Sequence, residues 1–133
     1  MRVVYRGDEE FPGEYELQRA NMRRSGQGAR GQRALREIEA ALIDLPAKRL
    51  IHGTLIDDNG DVCAIGAYGR HKRIDLAPYD PEDSVHVGIL GGMPRLVAWQ
   101  VVEMNDVGRT VTPEERYDRV LAWVRTQLKD GTS

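Results

Sequence analysis

Two stretches of the chain carry apolar residues at the spacing of an amphipathic helix. The first stretch has its apolar positions at Leu35, Ile38, Leu42 and Leu45. Pro46 disfavours helical geometry in the residue before it, so we expect a helix over Gln32–Leu45. The second stretch has its apolar positions at Tyr117, Val120, Leu121, Val124 and Leu128. Thr112, Pro113 and Glu115 form the pattern of a capping box, which predicts where this closing helix begins.

Weaker patterns predict three more helices and a loop. Short helices are expected over Glu14–Arg24, Pro81–Leu90 and Pro94–Asn105. Pro81 is followed by two acidic residues, which suits the first turn of a helix. The glycine-rich stretch Ser25–Gly31 is expected to be a loop or a loosened turn, because glycine destabilises a helix interior.

A sequence pattern typical of a turn lies between the two strong helix patterns. A stretch rich in Leu, Ile and Thr precedes the pair Asn59-Gly60, and such a pair tolerates the positive φ angles of a tight turn. We therefore expect a small β-hairpin over Leu50–Ala67, with Asp61–Ala67 as the returning strand. The alternative for the second half is a helix that starts near Val62.

These elements predict a mainly α fold of about five helices around one core, with a small β-hairpin; an α+β fold is the alternative. The 133 residues suit a single globular domain, 1–133, which is long enough to bury a sizeable core. No apolar run approaches the roughly 20 residues of a membrane-spanning helix, and the first residues argue against a secretory signal peptide. The single cysteine, Cys63, excludes an intramolecular disulfide and fits a reducing cytoplasm.

The net charge of −2 conceals a basic segment. Six of the 19 basic residues lie between Leu17 and Arg36, a span that holds none of the 21 acidic residues. They are Arg19, Arg23, Arg24, Arg30, Arg33 and Arg36. Arginine binds phosphates and carboxylates through two parallel hydrogen bonds, so this cluster is a candidate contact surface for nucleic acid or an acidic protein. The alternative is a solvated surface paired with the chain's own acids, such as Asp8, Glu9 and Glu10.

The segment 82–105 has the outline of a degenerate helix-turn-helix. In that interpretation the turn lies at Gly92, and the side chains of Arg95, Trp99 and Gln100 face outward, toward the DNA. Glu103 places negative charge on the helix that would read the DNA, where phosphates repel it. The alternative is an ordinary pair of packed core helices.

No spacing of titratable residues marks a catalytic, cofactor or metal site. The separations among the three histidines and Cys63 match no compact zinc pattern. The aspartates around Asn59-Gly60 lack the glycine and glutamate positions of a calcium loop, so we interpret them as part of a turn. Cys63 is interpreted as a small buried residue, and Trp99 and Trp123 as core residues. The charged residues of the closing helix, including Arg116, are expected to face solvent.

Three stretches of the chain resemble small proteins of bacteriophage and prophage genomes. They are Gly31–Arg49, Gly53–Arg70 and Thr112–Leu128, which together make up somewhat under half of the chain. In that group a hairpin-like segment with a Val-Cys-Ala core precedes several helices, and the closing helix starts with Thr-Pro-Glu-Glu-Arg. This chain differs at the inter-helix turn, where Gly91-Gly92-Met93 stands in place of Leu-Gly-Ile. The resemblance implies a small cytoplasmic accessory protein of the bacterial host cell, and it carries no functional residue over.

The sequence therefore predicts a non-enzymatic protein that binds a protein partner, such as a host defence or replication component, without a cofactor or metal. The alternative is a DNA-binding protein that uses the arginine cluster and the segment 82–105. Under either interpretation, the expected contact residues are the six arginines of the cluster together with Arg95 and Gln100.

Overall fold

Helices make up most of the part of the chain that the structure describes, so the mainly α class is confirmed. The computed structural model describes residues 17, 20, 21, 24–107 and 111–129. Its α-helices include α1 (Ala29–Ile43), α2 (Ala64–His71), α3 (Ser84–Leu90), α4 (Arg95–Asp106) and α5 (Pro113–Gln127). A 3-10 helix, Pro81–Asp83, leads directly into α3. None of the helices in these ranges combines the length and the hydrophobicity that a membrane-spanning segment requires.

The two strongest sequence patterns produce the two longest of these helices, α1 and α5, of 15 residues each. The apolar stripe of α1 is buried as predicted, although the helix begins and ends slightly earlier than expected. At the start of α5, the Thr112 hydroxyl accepts a hydrogen bond from the Glu115 N–H at 3.1 Å. The Glu115 carboxylate accepts one from the Thr112 N–H at 3.0 Å, so the capping box is confirmed. The helices predicted over Pro81–Leu90 and Pro94–Asn105 are confirmed as well.

The glycine-rich stretch Ser25–Gly31 is mostly helical, and the prediction of a loop is wrong. Residues 24–27 are helical, the chain bends at Gly28, and α1 begins at the next residue. A Cβ atom at Gly31 would lie 2.1 Å from the Ser25 carbonyl oxygen. Glycine is needed at this position because the two backbone segments approach closely, and not because the helix has to end here. The helix predicted over Glu14–Arg24 lies largely outside the described residues, of which 17, 20, 21 and 24 are helical.

The β-hairpin predicted over Leu50–Ala67 is wrong, since none of the described residues belongs to a β-strand. The turn itself forms: Asp57 accepts hydrogen bonds from two backbone N–H groups of the turn, and Gly60 has a φ of +83°. One isolated antiparallel bridge, between Ile56 and Val62, is the only strand-like pairing in the described chain. The chain then enters α2, which confirms the alternative of a helix starting near Val62.

The helix α2 lies at the centre of the fold and packs against α1, α3 and α4. Its residues 64–69 are all buried. Cys63 caps its first turn, because the Sγ atom accepts a hydrogen bond from the Gly66 N–H at 3.3 Å. A Cβ atom at Gly66 would lie 2.2 Å from the Leu55 carbonyl oxygen, so glycine lets the helix rest directly on the preceding backbone. Tertiary packing, rather than the local turn signal, therefore decides the conformation after the turn.

The two ends of the described chain are joined through Gln32, a buried residue of α1. Its Nε2 atom donates to the carbonyl oxygens of Gly26 at 2.8 Å and of Gln127 at 2.9 Å. Its Oε1 atom accepts a hydrogen bond from the Lys129 N–H at 2.9 Å. The helices α1 and α5 also pack against each other, so α5 covers α1 across a separation of 95 residues at the amide of Gln32.

Candidate functional site

The described part of the arginine cluster forms an exposed surface on α1 and on the turn before it. We call its residues, Arg24, Arg30, Arg33 and Arg36, the α1 arginine surface, and all four are exposed. On α1 they recur at intervals of three residues, so they wind around the half of the helix that faces away from the core. Arg19 and Arg23, which belong to the same cluster in the sequence, lie outside the described residues.

The acidic residues of α1 are already paired, whereas its arginines are not. Glu37 forms an ion pair with Lys72 at 3.0 Å, and Glu39 forms one with Arg125 at 2.9 Å. Within the described ranges, none of the four arginines is in an ion pair. The predicted alternative, pairing with the acids of the N-terminal segment, falls outside the described residues. The α1 arginine surface is therefore locally positive without compensation from its own helix.

The segment 82–105 forms two packed helices, and Gly92, with a φ of +108°, lies in the turn between them. The helices approach closely, since a Cβ atom at Gly88 would lie 3.0 Å from the Ala98 Cβ. Arg95 is exposed on α4, and Gln100 is half-buried. The predicted contact residues that the structure describes are thus divided between two places: Arg24, Arg30, Arg33 and Arg36 lie on or just before α1, and the other two lie on α4.

Trp99 is exposed, and the prediction that it belongs to the core is wrong. Its relative exposure is 49%, because Val97, Ala98 and Val101 occupy the inward side of α4 and leave the indole on the outward side. Trp123 is half-buried and packs against the core. The two tryptophans have the same local pattern of apolar neighbours, and only the fold separates an exposed indole from a packed one.

Exposed apolar surface is concentrated around α4. Arg95 and Glu103 stand four residues before and after Trp99, and we call these three residues the α4 outer row. Both charged residues are exposed, and neither is in an ion pair with any described residue. Leu90, 49% exposed, precedes the α3–α4 turn, and Val107, 50% exposed, comes directly after α4. Of the five large hydrophobic side chains exposed in the described chain, three therefore lie on α4 or near its ends.

Cys63 is buried, as predicted, and burial raises the pKa of its thiol to about 11. A thiol with that pKa is almost entirely protonated at neutral pH and is a poor nucleophile. The described residues contain no group of three or more His, Cys, Asp or Glu side chains that could hold a metal ion. A surface cavity of about 200 Å³, lined in part by Asp44, Arg70 and His71, is smaller than the roughly 300–1,000 Å³ of typical small-molecule sites.

A buried polar cluster, missed by sequence analysis, holds α4, α5 and the segment before α2 together. Asn105 accepts a hydrogen bond from the Ala64 N–H at 2.9 Å and donates one to the Ile51 carbonyl oxygen at 3.0 Å. Arg116 is only 1% exposed, so its predicted solvation is wrong. Its guanidinium donates to the backbone carbonyls of Asn105 at 2.8 Å and Leu50 at 3.3 Å.

The Arg116 guanidinium is buried and forms no ion pair with a carboxylate of the described residues. Burial, with a smaller contribution from nearby Arg119, lowers the pKa of Arg116, and its Nη2 atom has no hydrogen-bond partner in the described chain. The signal in the sequence was positional, because Arg116 precedes Val120 and Val124 at the four-residue interval of one helix face. The cluster fixes where α4 ends relative to α2 and therefore helps to orient the α4 outer row.

No match was found between this chain and protein-family models, curated proteins or solved structures. The resemblance to bacteriophage proteins therefore stays a prediction. Two exposed surfaces of the described chain, the α1 arginine surface and the α4 outer row, are candidate contact surfaces.

Proposed function

We propose that this protein is a non-enzymatic binding protein that docks on a protein partner through the α4 outer row. The observation that carries the proposal is the 49% exposure of Trp99 at the middle of a helix whose inward side is fully packed. Tryptophan and arginine are enriched among the residues that dominate protein interfaces. A partner that covers Trp99 and pairs with Arg95 and Glu103 removes apolar surface from water and satisfies both charges.

We also propose that the partner is a host defence or replication component and that the protein acts on it in the bacterial cytoplasm. The support is the resemblance of three stretches of the sequence to bacteriophage proteins. The mixed charge of α4 favours a protein over a polyanion as the occupant of this surface, because Glu103 and Asp106 are both exposed there.

Replacing Trp99 with alanine is expected to weaken partner binding about 30-fold, because loss of a central interface residue costs about 2 kcal/mol. The measurement has two steps. The tagged chain first captures its protein partner from host lysate that has been treated with nuclease, and the captured partner is then titrated against the wild type and the variant. Ile43→Ala is the matched control, since Ile43 is 47% exposed but lies at the end of α1. Equal binding by the wild type and Trp99→Ala would contradict docking through this row.

A second candidate function is nucleic-acid binding by the α1 arginine surface. It is favoured by one observation, the four exposed arginines that lack ion pairs within the described chain while Glu37 and Glu39 are paired elsewhere. Such a surface binds phosphates without reading the sequence. The helix-turn-helix interpretation adds Arg95 and Gln100, but it places Glu103 against the phosphates.

If duplex DNA binds to the α1 arginine surface, the double variant Arg33→Ala/Arg36→Ala is expected to flatten the salt dependence of binding. Each lost phosphate contact changes the slope of log K against log salt by about 0.9, so the slope should change by about 1.8. Fluorescence anisotropy across a salt series measures this slope. Arg70→Ala is the matched control, because it removes an exposed arginine from the end of α2, outside both proposed contact surfaces, and should leave the slope unchanged. An unchanged slope in the double variant would exclude α1 as the contact surface.

A further inference from the structure

We infer that, in the free protein, a second copy of this chain covers the α4 outer row, packed antiparallel across a two-fold axis that passes beside Trp99. The inference rests on the proposed docking function of this row, and it names what covers the row until the host partner takes its place. The observation behind it is the arrangement of charge along α4. Two antiparallel copies of this helix place opposite charges against each other.

The charges of the row are placed symmetrically about Trp99. Arg95 lies four residues before it and Glu103 four residues after it, about 6 Å away in each direction along the helix axis. In a two-fold interface, residue i of one copy contacts residue j of the other, and j contacts i. When the two α4 helices run antiparallel, Arg95 of each copy therefore faces Glu103 of the other copy, which gives two such pairs in each dimer. A parallel arrangement would instead oppose like charges.

Both charges are available for this pairing. Arg95 and Glu103 are exposed and belong to no ion pair with the described residues, unlike Glu37 and Glu39 on α1. Residues four apart form one ridge on a helix, and two such ridges interdigitate when the helices cross at about −50°. The outer row is a ridge of this kind, so two copies can pack their rows side by side.

The apolar residues around α4 have the same symmetry. Leu96 and Val102 stand three residues before and after Trp99, and both are half-buried. Leu90 lies beyond the start of α4 and Val107 beyond its end, and each is about half exposed, at 49% and 50%. Antiparallel packing brings the Leu90 end of one copy toward the Val107 end of the other, with the two Trp99 indoles at the centre.

The test is sedimentation of the full chain over a dilution series from millimolar to low micromolar, with two charge-reversal variants. The wild type is expected to approach twice the 15.0 kDa mass of one chain. Arg95→Glu alone and Glu103→Arg alone should each remain monomeric, because each opposes like charges at two places. An equimolar mixture of the two variants should regain the dimer, because both pairs then become complementary. Arg33→Glu makes the same change of charge on α1 and should dimerise like the wild type.

Three results would overturn the inference: a wild type that stays at 15.0 kDa, single variants that dimerise normally, or a mixture that does not recover. Circular dichroism of each variant checks that the helices are intact, and recovery in the mixture itself requires folded chains. A monomeric wild type that still captures another protein through Trp99 would end the self-association inference alone. Capture that is indifferent to Trp99→Ala would instead end the proposed docking function.

Discussion

Replacing Asn105 with alanine is expected to lower the free energy of unfolding by about 3 kcal/mol, because it leaves two backbone groups without their partners. Its side chain accepts from the Ala64 N–H at the start of α2 and donates to the Ile51 carbonyl oxygen. A buried donor or acceptor left unsatisfied costs about 1–3 kcal/mol. The bond from Arg116 goes to the backbone oxygen of Asn105, so the substitution leaves that contact in place.

Urea unfolding monitored by circular dichroism measures the loss. Asn59→Ala is the matched control, since Asn59 is exposed and an exposed substitution of this kind changes stability by no more than about 0.5 kcal/mol. If Asn105→Ala unfolds within that same margin of the wild type, the buried amide does not hold α2 and α4 together.

Replacing Gly66 with alanine is also expected to lower the free energy of unfolding by about 3 kcal/mol. The added Cβ would lie 2.2 Å from the Leu55 carbonyl oxygen and 3.0 Å from the Val62 Cβ. The first of these is backbone, so no side-chain rotation relieves the contact, and α2 must move away from the segment on which it rests. Without such a contact, alanine stabilises a helix relative to glycine by up to about 1 kcal/mol. A lower free energy of unfolding in the Gly66→Ala variant therefore reports the steric clash.

Gly26→Ala makes the same chemical change at a helical position with room for it. The nearest atom to a Cβ there is the Leu35 Cδ1 at 3.7 Å, an ordinary contact. We expect this variant to unfold at the same urea concentration as the wild type or at a slightly higher one. Equal stability of the Gly66 and Gly26 variants would show that α2 does not need a glycine at its contact with Leu55.

The sequence predicted the helices whose signals are local. The apolar spacing of α1 and the capping box of α5 act within a few residues, and both elements form almost where expected. The turn signal at Asn59-Gly60 was also real, because Asp57 and Gly60 make the turn. The conformation of the chain after that turn depends on a close approach between Gly66 and Leu55, which no local pattern expresses.

The sequence predicts the exposure of individual side chains less well than it predicts the helices. The composition of the chain predicts the arginine cluster, and the four residues of the α1 arginine surface are exposed. Trp99 was assigned to the core, since an aromatic beside an apolar stripe has no local feature that tells which side of the helix faces inward. Arg116 was assigned to solvent, and its carbonyl acceptors lie 11 and 66 residues away in sequence. Pairings at that distance become visible only in the folded chain.

The long-range bond of Gln32 also bears on how the chain is made. A ribosome adds about 5–20 residues per second, so the 95 residues between Gln32 and Gln127 take on the order of ten seconds to synthesise. During that time α1 can meet α2, but its side toward α5 stays open to water and to chaperones. The core therefore closes only when α5 emerges, and α1 remains half covered until α5 has been made.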